Sequence, residues 1–366
     1  MLDIRRRKIS LFIFTFVAMA AAKVLVLILP SKYFYDNTRI VSMVNNDGLI
    51  PAWSGSYQTT ADIFTFLNFL NFQTMVEWSF ALGVLLTTLV SLLIFQNGAL
   101  DMIQELFWLC CIVLLNIYVF NIGKDSIQFI FFYISFIVSK SHLSIYIKSL
   151  LIFIVFYIES IYFRSYFILV AVFFVAIVLL TFRTQNTGRR MKTTSYYAYI
   201  LLIVYSFLIV SSILFPEQYE DVANVRAGVN DGREGAADAA TLISNLIPGN
   251  SLFIALVNYP INAFRMLLPL ELLLKGVTYI PFVIFQVFAT IFLIQYSKSI
   301  LNHTITSNTS ILLYAIYLAF LLTSFFFEPD FGSWVRHEMA SFPVFQYLFF
   351  SRYCRHIFTR KGIIVQ

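Results

Sequence analysis

Charge is what this sequence has least of. Asp, Glu, Lys and Arg make up only 12% of its 366 residues, against roughly 25% in an ordinary soluble chain. It also lacks a disulfide framework. Of its three cysteines, Cys110 and Cys111 lie inside an apolar run and Cys354 lies in a basic tail. The four histidines (His142, His303, His337 and His356) are scattered without metal-ligand spacing, so no metal and no cofactor are expected. There is no glycine-rich nucleotide motif, no internal repeat and no low-complexity tract. The stretches between apolar runs are too short for a separate soluble catalytic domain, which takes at least about 50 residues.

What the sequence has in excess is apolar surface. Apolar residues are 60% of the chain, 41 of them Phe, and the mean hydropathy is +0.81. Spans of roughly 20 residues fit runs near 9–30, 74–95, 105–121, 126–139, 144–158, 163–182, 196–215, 277–297, 310–327 and 340–352. Arg5 to Lys8 ahead of the first run resemble a signal sequence, but the apolar stretch resumes at Val24–Leu29. It reads as an uncleaved first span. The stretch 251–275 carries Asn258, Pro260, Asn262, Arg265, Pro269, Glu271 and Lys275. Charges at the bilayer centre cost about 2.5–3.5 kcal/mol each, so this stretch is expected to be re-entrant or interfacial.

The expectation is an all-α polytopic membrane protein, one transmembrane domain over 1–366, with two larger outer loops at 31–73 and 216–250. Ten crossings with both termini inside place 15 of the 25 basic residues and only three acids on the inner side, as the positive-inside bias requires. The net charge of +6 therefore faces lipid headgroups, and no nucleic-acid partner is expected. The predicted site is a membrane.

The unusual polar residues gather in the outer segments. Loop 31–73 holds Asp36, Arg39, Asp47 and Asp62 among nine aromatics. It reads either as a solvated loop with an aromatic belt or as a carbohydrate surface with an acid serving as base. The turn 121–125 ends in Lys124 and Asp125, an exposed ion pair in the plainer reading. In 159–166, aromatics bracket Arg164, which either snorkels to headgroups or binds phosphate in bidentate fashion. Loop 216–250 sets Arg226 and Arg233 among glycines, which suits a lid or an anionic ligand. Arg265 and Glu271 lie six residues apart, so they are not neighbours on a straight helix. The turn 328–338 packs Glu328, Asp330, Arg336, His337 and Glu338 between two spans. If a helix begins near Trp334, its first turn presents Arg336 and His337 to the outer mouth, where free N–H groups also favour anions.

In layout and in four short turns the sequence resembles the Wzy-type polymerases of bacterial O-antigen and capsule repeat units. The turns are NIGKDSIQF at 121–129, YFRSYFIL at 162–169, the Arg-Gly-rich loop at 226–235 and EPDFGSWVRHE at 328–338. It departs from the family pattern of two large outer loops with matched arginine motifs, because its second half has the re-entrant stretch instead. The long first loop with Asp36 is also similar to that of GT-C glycosyltransferases, where an acid serves as base.

The resemblance implies transfer of a growing glycan from undecaprenyl pyrophosphate onto the next lipid-linked repeat unit at the outer face of a bacterial inner membrane. The partners would then be that lipid-linked oligosaccharide, the bilayer and a chain-length regulator. The implied base is Asp36, Asp125 or His337. Lys124, Arg164, Arg226, Arg233, Arg265 and Arg336 would bind phosphate or glycan. A single-sugar GT-C transferase and an O-antigen ligase share this chemistry. A flippase would show more spans, repeat symmetry and charges inside the bundle.

Overall fold

A computed structural model describes residues 2–96, 100–188, 190–214, 241–249 and 251–350. Among these the elements are helices, and the one β-type contact is an isolated bridge between Leu242 and Asp330. Eight of the helices are long and apolar enough to cross a membrane. The chain is an all-α, multi-pass membrane protein.

In chain order, α1 (Leu2–Ile28) leads into a segment expected to be loop but built largely from two short helices, α2 (Tyr35–Asn45) and α3 (Ser56–Leu67). Next come α4 (Met75–Gln96) and α5 (Met102–Leu114), which a π-turn extends over Leu115–Val119. Asp101 starts α5 through a capping box with Gln104, satisfying two of the free N–H groups at that end. Then follow α6 (Lys124–Lys140), α7 (Ile145–Tyr162), α8 (Phe167–Asn186) and α9 (Thr193–Leu214). Beyond residue 240 lie α10 (Leu252–Leu267), α11 (Ile280–Leu301), α12 (Asn308–Phe327), α13 (Phe331–Ala340) and α14 (Phe342–Phe349).

These elements form two compact units. The first takes in residues up to 138, 155–165 and the described chain from 336 on. In it α1 packs along α4 and α5, tied by Trp108 Nε1 donating to Thr15 Oγ1 at 3.1 Å and by an Arg7–Glu105 ion pair at 2.8 Å. The α2–α3 hairpin buries Ile40, Val41 and Phe64 against Trp78 and Ile122. Exposed Ile13, Phe14, Val17 and Leu27 on α1 are the lipid-facing surface expected of a span.

The last expected span, 340–352, is corrected. Its helix, α14, has eight residues, about 12 Å of rise, and cannot cross alone. Pro343 lacks the N–H needed to continue α13, so the chain breaks there and restarts. Arg336 on α13 meets Asp125 just beyond the C-terminal end of the π-turn, while Phe342 and Phe350 both pack on Trp108 in the middle of α5. The expected tenth span is therefore two short helices, neither among the eight long and apolar enough to cross.

The second unit comprises the remaining described residues between 139 and 335. Here α12 is buried along almost its whole length and packs most heavily on α8. Three of the polar interruptions expected at 251–275 fall on one face of α10, while Glu271 and Lys275 lie beyond its end. Asn258, Asn262 and Arg265, spaced three to four residues apart, bond in turn to Ile247, Asn245 and Ser244. At 16 residues, about 24 Å, α10 is shorter than the roughly 30 Å hydrocarbon core. Its polar stripe is spent on the preceding segment.

Candidate functional site

The first unit gathers acids and cations from five separate segments. The turn 120–123 positions them, and it is fully buried. From α1, Lys23 Nζ donates to the carbonyls of Asn116 and Phe120, at 2.7 and 2.8 Å, and to Ser79 Oγ at 3.0 Å. The π-turn sends the Phe120 N–H to Leu115 O and so frees the Asn116 carbonyl, while the Phe120 carbonyl lies just past its end. From α2, Asn37 Nδ2 donates to Ile122 O at 2.6 Å. Gly123 leaves room for this bond, because a Cβ there would come within 2.8 Å of the Asn37 amide and push it aside. Gly83 likewise makes room for Lys23.

Immediately after this turn α6 begins, and its first two residues are Lys124 and Asp125. Asp125 sits where the helix dipole favours an anion. Arg164, at the end of α7, reaches its Oδ1 at 2.5 Å and also bonds Gln128, one turn further along α6. Arg336 Nε lies 2.9 Å from Asp125 Oδ2, and His337 Nε2 lies 3.5 Å from Oδ1. Arg336 also faces Asp36 on α2, at 3.7 Å. Tyr57 on α3 donates its hydroxyl to Asp36 Oδ1 at 2.7 Å, and Lys124 Nζ stands 3.6 Å from the Tyr57 ring centre. The side chains of Asp125 and Arg164 are 11% and 9% exposed, those of Arg336 and Asp36 24% and 28%. The cluster is thus closed at Asp125 and open at Arg336 and Asp36.

Electrostatics separates the two acids. Burial alone would raise the Asp125 carboxyl, but Arg336, Arg164, His337 and Lys124 together hold it well below the usual carboxylate range. Asp125 therefore stays ionised and is a poor proton acceptor. Its role is to hold cations. Lys124 is pushed down to about 8, first by burial and then by the nearby Arg164. Burial, and then the Asp36 charge, raises the Tyr57 hydroxyl above its ordinary value, so it remains a hydrogen-bond donor. Three cationic side chains thus face two carboxylates, with His337 beside them. The open side of the cluster suits an anionic ligand next to a carboxylate.

Of the residues singled out in the sequence, Asp36, Lys124, Asp125, Arg164, Arg336 and His337 come together here. Arg265 does not belong to this cluster. It lies in the second unit in a bidentate pair with Glu271, at 2.7 and 2.8 Å, because α10 ends at Leu267 and the chain folds back. Arg226 and Arg233 lie outside the described residues. Asp330 accepts from the Ser333 N–H at 2.7 Å at the start of α13, and Glu328 accepts from the Ser333 hydroxyl at 2.8 Å. Sequence reasoning missed Gln128, Tyr57, Asn37 and the role of Lys23. Gln128 was legible, being three residues beyond Asp125 and so on the same helix face. Tyr57 carried no signal beyond being one of several loop aromatics.

Fold and site together define a multi-pass helical membrane protein with a partly open, cation-rich polar cluster. The chain matches no known protein family, and no characterised protein or solved structure is significantly similar to it.

Proposed function

We propose that this protein is a polymerase of lipid-linked oligosaccharide repeat units. It transfers glycan from undecaprenyl pyrophosphate to the next lipid-linked unit at the outer face of a bacterial inner membrane, with both termini cytoplasmic. The observation that carries this reading is the cluster around Asp125, where Arg336 and Asp36 are the exposed members of an otherwise buried network. The reaction breaks the bond between the donor sugar's anomeric carbon and a pyrophosphate oxygen, and forms a bond from that carbon to an acceptor hydroxyl oxygen. Arg336 and Lys124 stabilise the departing pyrophosphate, an effect worth several kcal/mol in a water-poor site. Asp36 takes the acceptor proton and releases it to solvent. His337 is the second choice of base. Asp125 and Arg164 fix Arg336 in place. The supporting charge pattern is the concentration of basic residues in the segments on the opposite side.

The test is a gel of surface polysaccharide from cells with and without the gene. Loss of the ladder, leaving core plus one repeat unit, supports the polymerase. A complete repeat unit stranded on its lipid indicates a ligase or flippase, and a truncated one a single-sugar transferase. An unchanged ladder refutes the reading. The orientation has its own test, because Leu49 is exposed in the segment between α2 and α3. A Leu49→Cys variant should react with an impermeant thiol reagent on spheroplasts; reaction only after lysis would reverse the topology.

A further inference from the structure

Beside the cluster lies a second arrangement that the transfer chemistry does not use. Arg39, on α2 one turn after Asp36, is 3% exposed, and among the described residues it has no carboxylate partner. Its guanidinium lies 3.5 Å from the centre of the Trp53 ring and 4.9 Å from that of Tyr35. It donates to Pro51 O at 3.0 Å and to the Tyr35 hydroxyl, while its Nε is buried without a partner. Burying an arginine without an acid is costly, and here the two ring faces and the Pro51 carbonyl offset that cost. The rings themselves are not buried. Trp53 is 42% exposed and Tyr35 53%. Trp53 meets Tyr57 edge-on at 4.8 Å, and Tyr57 bonds Asp36.

We propose that Trp53 and Tyr35, clamped from behind by Arg39, form a carbohydrate platform that seats a sugar ring of the glycan next to Asp36. Sugar rings present C–H faces that pack on aromatic faces, and their rim hydroxyls need polar neighbours of the kind the cluster supplies. The clamp distinguishes this arrangement from a membrane-interface belt. Belt residues hold position by keeping a polar tip in the headgroup region, whereas the Tyr35 hydroxyl is already bonded to Arg39 and the Trp53 ring is fixed on two sides. Fixing the rings before the ligand arrives lowers the ordering cost of binding. The proposal rests on the polymerase reading for the identity of the glycan.

The experiment uses the full chain in nanodiscs. The probe is the free oligosaccharide released by mild acid from the lipid-linked pool of the same cells, and binding is measured calorimetrically. Trp53→Ala should bind roughly threefold to tenfold more weakly, and Trp53→Phe, which keeps a ring face, within about threefold of wild type. If Trp53→Ala fails to accumulate, Tyr35→Leu carries the same expectation. Wild-type affinity in the alanine or leucine variant overturns the platform, as does absence of binding to the wild type. The two readings fail separately. A lost ladder on gene deletion, with affinity independent of these rings, leaves the polymerase and removes the platform. An intact ladder with ring-dependent binding does the reverse.

Discussion

Lys23 and Arg336 are both cations in the first unit, and they are treated in opposite ways. Lys23 is sealed, and its ammonium is satisfied by neutral acceptors, two carbonyls and a serine hydroxyl, at distances of 2.7 to 3.0 Å. Arg336 is a quarter exposed and shares two carboxylates with Arg164, His337 and Tyr57. A buried charge whose every donor is spent on neutral acceptors holds a shape. One that shares its counter-charges with other cations and still meets solvent is available to a ligand. On this comparison Lys23 maintains the turn that places Lys124 and Asp125, and Arg336 is the cation left open to a ligand. Arg265 in the second unit is a third case, paired one-to-one with Glu271 and so left with little charge to offer.

The largest effect should come from breaking the sealed charge. Lys23→Met leaves the carbonyls of Asn116 and Phe120 unbonded in a dry interior, at about 1–3 kcal/mol each. The variant should accumulate poorly and melt early in detergent, and Gly83→Leu should do the same by displacing the lysine. Normal melting of Lys23→Met would show that the π-turn stands without it.

Arg336→Gln comes next, with the opposite signature. Asp125 keeps Arg164, so the protein should accumulate and melt near wild type. Transfer activity should fall by roughly 100-fold to 1,000-fold, the usual loss when one group facing developing charge is removed. A pH series sharpens the comparison on a smaller scale. Because Lys124 titrates near 8, it is charged below that value and neutral above it. Affinity for an anionic substrate should therefore fall as pH rises through about 8, by about twofold to fivefold for one partly exposed charge. Lys124→Met should flatten the profile and bind weakly throughout. The smallest effect belongs to Arg265→Ala, which removes a half-exposed pair worth about 1 kcal/mol and should keep its activity.

Much of the fold could be read from the sequence because spans announce themselves by length and apolarity. Eight of the ten expected spans became helices long and apolar enough to cross, whereas 126–139 became the 17-residue α6 and 340–352 the eight-residue α14. The tenth was misjudged because apolar residues continue across the break at Pro343, and composition alone does not show where a helix stops. Loop 31–73 hid two helices for a related reason: the polar and aromatic residues of α2 and α3 do not look like a span, and short interfacial helices leave a weaker signal. The turns at 121–125, 159–166 and 328–338 were visible as charges between apolar runs. That they meet in one unit was not, because the meeting depends on a lysine inside α1, a glycine at 123 and an asparagine at 37, none unusual alone. The Arg265–Glu271 pair was judged too far apart for a straight helix. That geometry was right for a helix, but the chain turns after Leu267 and closes the gap.

The most direct measurement is a surface-polysaccharide gel of gene-deleted cells carrying the wild-type protein, Arg336→Gln or Arg265→Ala, each matched for membrane level. A full ladder with wild type and Arg265→Ala, and core plus a single repeat unit with Arg336→Gln, is the predicted result. A full ladder with Arg336→Gln at normal protein level would contradict the assignment of the open cluster as the reacting site.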